Sequence, residues 1–131
     1  MQEDPKEREI ANKILKAIEK QYGFIPVVNQ VLSERPDMFI PAANIGKAVL
    51  EGKGELDQKT RYLAAISAAA ALGGQHCIRV QAHHALQAGA TKDEIFECMM
   101  IGSYMAMTHS QSYALREYAE MFQSGEDGDS R

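Results

Sequence analysis

Apolar residues recur at helical spacing along most of the chain, and the periodic runs break at glycines, prolines and capping residues. Ile10, Ile14, Ile18 and Tyr22, flanked by Ala11 and Leu15, mark a first helix over about residues 6–22, behind Pro5 and stopped by Gly23. Pro26 and Pro36 each suit the first turn of a helix. The stretch between them therefore reads as a short helix carrying Val27, Val28, Val31 and Leu32, with a third helix starting near Pro36. That third helix carries Met38, Phe39, Ala42, Ala43, Ile45, Val49 and Leu50 and ends in the polar loop Gly52-Lys53-Gly54.

Asp57 is placed to cap a fourth helix whose body is mostly alanine, with Gly73-Gly74 ending or kinking it. A helix with so little polar surface belongs at the centre of a bundle or at a subunit contact. Gln75 to Ala88 forms the next helix, stopped by Gly89. Thr91 and Glu94 make a capping box that launches a helix bearing Ile95, Cys98, Met99 and Gly102. Gly102 and Ser103 interrupt the Met-rich stretch, and a last helix is expected to run to about Phe122. No alternating strand pattern, hairpin dipeptide or fixed-period repeat appears, so the fold class is all-α: a single-domain helical bundle over residues 1–131, with its core in about 8–122 and a disordered tail over 123–131.

Composition fits one compact domain, with 131 residues, 45% of them apolar and 24% charged. Fourteen Lys and Arg against 18 Asp and Glu leave a net charge of −4 with no basic block, which argues against nucleic acid or an anionic membrane as partner. No apolar run approaches the roughly 20 residues needed to span a bilayer. The charged start MQEDPKERE has neither a signal-peptide nor a transit-peptide character, so a cytoplasmic location is expected. In that reducing compartment Cys77 and Cys98 are expected to stay thiols.

All four histidines and both cysteines lie between His76 and His109. On a helical wheel, Ile78, Ala82, Ala85 and Leu86 form the stripe expected to face the core, while Cys77, Gln81, His84 and Ala88 lie together on its flank. His76, His83 and Arg79 project from the other flank. They cannot converge with Cys77 on one ion, so no metal site is expected, nor any cofactor, and the histidines read as a solvated or subunit-facing surface. Cys77, in the first turn, meets the positive end of the helix dipole, which favours a thiolate; the alternative is a small buried residue beside a Gly-Gly corner. A line Cys77, Gln81, His84 can hydrogen-bond along one flank, although Cys77 and His84 are about 10 Å apart by rise alone. Cys98 shares the apolar face of its helix and reads as packing, with a resolving thiol as its functional alternative. Met99, Met100, Met105 and Met107 read as core or interface filler. His109 and Tyr113 make an i, i+4 pair that either faces the Cys77 cleft or lies on the surface.

The stretch IRVQAHHALQAGATKDEI that follows Cys77, with the upstream runs YGFIPVVNQVLSERPDMF and LDQKTRYLAAISAAAAL, resembles the carboxymuconolactone decarboxylase superfamily and its alkylhydroperoxidase D-like members, over about residues 8–122. Hydroperoxidase-type members carry a C-x-x-C-x-x-x-H motif. Counting back from Gly89, Cys77 falls on its second cysteine, Gly74 on its first and Gln81 on its histidine. The acid that relays protons in the family would lie near Tyr62, where none is present. The resemblance thus implies an oligomeric helical protomer, a trimer or a hexamer, and a peroxidase-type oxidoreductase with Cys77 as nucleophile. His84 or His109 would stand in as a displaced base, and Gln81 cannot titrate. Lacking a thiol at position 74, such a protein would need Cys98, a second subunit or an external thiol reductant to resolve a sulfenate. Two further readings stand beside it. One is a non-redox small-molecule-binding or assembly protein, which expects a buried, inert Cys77. The other is a decarboxylase-like lyase drawing on Arg79, Arg116 and His109.

Overall fold

A computed structural model describes residues 3–123, and every regular element among them is a helix. The expected tail lies almost wholly outside the described residues. The chain packs as two compact units that meet in sequence at Leu56 and Asp57.

The first unit holds α1 (Pro5–Tyr22), α2 (Val27–Leu32) and α3 (Pro36–Glu51). Asp4 caps α1 by accepting from the Lys6 N–H at 2.9 Å, and Gly23 closes it in the left-handed region at φ 82°, where glycine carries no Cβ penalty. Pro36 opens α3 without costing it a hydrogen bond, since a first-turn N–H has no partner inside the helix. Phe39 and Ala11 are fully buried and mark where α3 meets α1.

The second unit is built on α4 (Gln58–Leu72), against which both α5 (Gln75–Gln87) and α6 (Lys92–Phe122) pack. The alanine-rich helix is therefore central, as its composition implied. Asp57 caps it by accepting from the Thr60 N–H at 2.8 Å, and Tyr62, Ile66 and Ala69 form its buried face. The Thr91–Glu94 capping box is present in both directions: Thr91 Oγ1 accepts from the Glu94 N–H at 3.0 Å, and the Glu94 carboxylate accepts from the Thr91 N–H at 2.9 Å. Lys59 pairs with Glu94 at 3.0 Å and ties the start of α4 to the start of α6.

Two expectations change. The helix launched by Thr91, bearing Ile95 to Gly102, and the last helix expected to follow it are one, so α6 is a single 31-residue helix. Gly102 is buried where the two backbones touch: a Cβ there would collide with the Ser67 carbonyl oxygen of α4 and lie 3.1 Å from the Ala70 Cβ. The glycine buys a close helix crossing and breaks nothing. In α5 the buried stripe is rotated towards the flank of Gln81, His84 and Ala88. His84 and Ala85 are buried, Ile78, Gln81, Ala82 and Ala88 half-buried, and Leu86, assigned to the core, is exposed. On that side His84 stacks against the Tyr62 ring of α4, with centroids 4.9 Å apart.

Candidate functional site

The site residues gather where α4 turns into α5. Gly73 takes the left-handed conformation at φ 77°, and the Gly74 N–H donates to the Ala69 carbonyl at 2.9 Å, so the chain reverses in two residues and α5 returns along α4. No side chain caps α5 at Gly74. Of the first-turn amides that helix geometry leaves without intrahelical partners, the Gln75 N–H donates to the Gly73 carbonyl at 3.1 Å, and no side chain caps the others.

Cys77 lies in this first turn and is exposed. A Cβ built on Gly74 would lie 3.5 Å from the Cys77 Cβ and 3.8 Å from its Sγ, in ordinary van der Waals contact. Position 74 therefore abuts the sulfur and is occupied by hydrogen alone. Gln81, one turn on, is half-buried, and its Oε1 is buried with no hydrogen-bond partner among the described residues.

His84, two turns from Cys77, is 3% exposed, and its ring centroid lies 4.9 Å from that of Tyr62 at an interplanar angle of 50°. Tyr62 thus occupies, on α4, the neighbourhood in which the family resemblance implies an acid. Sequence reasoning missed this partnership, although the signal was present: Tyr62 is the single aromatic residue of α4.

The remaining candidates are exposed or half-buried on α5 and α6. His76, Arg79 and His83 are exposed on the outer side of α5. His109 and Tyr113 are exposed on the second half of α6. Arg116 is exposed on the same stretch. Cys98 is half-buried on α6 and, like Cys77, is a free thiol. Burial, reinforced by the nearby Glu94 and Glu97 carboxylates, pushes its pKa up and holds it in the thiol form. Among the described residues no group of three His, Cys, Asp or Glu is placed to hold a metal ion, and no helix is long and apolar enough to cross a membrane.

Compared with known proteins, residues 36–120, more than half of the chain, match the model of the carboxymuconolactone decarboxylase family. An uncharacterised protein of Methanocaldococcus jannaschii is 30% identical over 80 residues, which cover 60% of this chain and 74% of that protein. No solved structure matches.

Proposed function

Because the chain belongs to the carboxymuconolactone decarboxylase family, we propose that it acts as a thiol-dependent peroxidase with Cys77 as nucleophile and a small external thiol as reductant. One observation carries the reading: of the two free thiols, Cys77 is the exposed one, at an uncapped helix start with an empty side-chain position against its sulfur. An assembly protein that had lost its chemistry was expected to bury this residue.

The Cys77 thiolate attacks one oxygen of a hydroperoxide. The S–O bond forms, the O–O bond breaks, and the departing alkoxide takes a proton from water and leaves as the alcohol. Cys77 is then a sulfenic acid. A first external thiol condenses with it, forming an S–S bond and releasing water; a second attacks the mixed disulfide, leaving as the external disulfide and returning Cys77 to the thiol. Two thiols thus supply the two electrons. The bare backbone at Gly74 leaves room beside the sulfur for the incoming thiol, in place of an internal one. Solvent delivers the proton, since His84 is buried about 10 Å further along the helix axis and Gln81 does not titrate. His84 then acts as a positioning residue that seats α5 on Tyr62, and His109 is a surface base. A reducing cytoplasm, which keeps both cysteines as thiols, is the setting this chemistry needs.

Treatment of the folded protein with a small hydroperoxide, followed by a sulfenic-acid trap and peptide mass spectrometry, tests this. The expected adduct is on Cys77, lost in Cys77→Ser and kept in Cys98→Ser. If Cys77 stays unmodified in the folded protein and reacts only after unfolding, the peroxidase reading fails. The assembly reading, favoured by the exposed apolar side of α6, then stands in its place.

A further inference from the structure

Cys77 lies in a part of the chain that carries no acid. None of the 18 Asp and Glu residues falls between Asp57 and Asp93, whereas Lys59, Arg61, Arg79, Lys92 and three of the four histidines do. The whole chain has a net charge of −4, so its acids are segregated away from α4 and α5. On α6 the pattern is the same at the level of the thiol. Glu94 pairs with Lys59 and Gly102 lies against Ser67 and Ala70, so α6 runs parallel to α4 and draws level with its end a little beyond Gly102. Between Glu97 and Arg116 that helix has no Asp, Glu, Lys or Arg. Asp93, Glu94 and Glu97 lie where α5 has already finished, and Glu117 and Glu120 lie near the far end of α6.

Three basic side chains line one face of α5. His76, Arg79 and His83 fall within an arc of about 60° on the helical wheel. All three are exposed, and none has an ion-pair partner among the described residues. His76 precedes Cys77 by one residue and Arg79 follows it by two, about 1.5 and 3 Å along the axis. The guanidinium keeps its charge throughout the physiological range. Because it stands on the other flank of the helix, it acts on the thiol through solvent and not by contact. At a separation on the order of 10 Å in water, one unit charge enriches an opposite one about twofold.

The step that restores Cys77 is sensitive to such a field. The reductant reacts as its thiolate: its sulfur bonds to the sulfur of the Cys77 sulfenic acid, the S–O bond breaks, and the departing hydroxide takes a proton from solvent to become water. The arriving group is thus an anion, and a carboxylate attached to it adds a second negative charge drawn to the same face. An attached ammonium is repelled. A neutral hydroperoxide gains nothing from this face, so its selectivity falls on the reductant.

We propose, on the footing of the peroxidase reading, that the reductant of Cys77 is an anionic, carboxylate-bearing thiol, selected by the basic face that His76, Arg79 and His83 form. Arg79 supplies the permanent charge and determines the selectivity without touching the reacting sulfurs.

Thiol–disulfide exchange tests this without peroxide. The full chain carrying Cys98→Ser is treated, folded, with the symmetrical disulfides of mercaptopropionate, mercaptoethanol and cysteamine, which are anionic, neutral and cationic. Each rate is divided by the rate for the same protein unfolded in urea. The expected order is anionic over neutral over cationic, with a spread of at least about fourfold from end to end that collapses in high salt. Arg79→Glu is expected to abolish the preference and Arg79→Lys to keep it, both with helical circular dichroism unchanged. Equal relative rates for the three, or an order that Arg79→Glu leaves in place, overturn the anionic-thiol assignment while sulfenic acid can still form on Cys77. If Cys77 exchanges with none of the three until the protein unfolds, the peroxidase reading fails and the assignment fails with it.

Discussion

Cys77 and Gly74 are three residues apart, and the turn into α5 brings their side-chain positions into contact. The Cβ–Cβ separation of 3.5 Å available there lies at the edge of the range of native disulfides, about 3.5–4.5 Å. Gly74 has an ordinary backbone conformation at φ −84°, open to any L-residue. Gly74→Cys is therefore expected to form a disulfide with Cys77 under mild oxidation without backbone movement. Intact mass after alkylation reads this directly: the oxidised variant would take one label, on Cys98, and after reduction further labels. If Gly74→Cys takes up label at all three thiols after oxidation, the sulfur does not face position 74 as described. The place of Cys77 in the first turn of α5 was legible in sequence. Its exposure was not, because a wheel assigns a residue to a face but does not say how much of that face the neighbouring helices cover.

At the scale of elements, most helix boundaries were legible, since they rest on local chemistry. Asp57, Thr91 with Glu94, Gly23 and the first-turn prolines each act through a hydrogen bond or a backbone angle within four residues. What failed was the division of α6 into two helices. At Gly102 local and tertiary meanings of one residue compete: inside a helix glycine costs about 1 kcal/mol relative to alanine, while here the close approach of Ser67 requires it. Propensity and packing thus give opposite signs for Gly102→Ala. Propensity alone would stabilise the protein by about 1 kcal/mol, whereas a methyl forced against a backbone carbonyl pushes α4 and α6 apart, at about 1–3 kcal/mol or more. The collision is with backbone, which cannot rotate away, so net destabilisation is expected as a lower urea midpoint. Gain of stability would mean the helices are further apart than described. The rotation of α5 is a tertiary matter too: His84, buried, stacks on a Tyr62 ring contributed by another helix, while Leu86 is exposed.

At the scale of the whole molecule, both units rely on carboxylates held ionised. Asp37 in the first unit is lowered from 3.8, chiefly by its hydrogen bond to Arg35 at 2.8 to 3.0 Å. Asp57 in the second is lowered from 3.8 by the Thr60 side chain and amide, and Glu94 from 4.5 by the Thr91 amide and then Lys59. The sign follows from linkage. A carboxylate whose folded pKa lies below its unfolded value binds fewer protons when folded, so its contribution is complete above the unfolded value and is lost as pH falls through the folded one. Stability is therefore expected to hold down to about pH 4.5, the upper of the ordinary values, and to decline below it. These groups are exposed, so each contributes modestly and high salt weakens the ion-paired ones. Urea midpoints measured from neutral to acidic pH check this, with Asp57→Asn and Glu94→Gln each expected to flatten the acid limb while leaving the helices formed. Asp57 and Glu94 each accept a hydrogen bond from a helix-start amide, which salt does not screen as it does a Coulomb pair. An acid limb that vanished entirely in high salt would show that the Lys59 and Arg35 pairings, and not the caps, produce it.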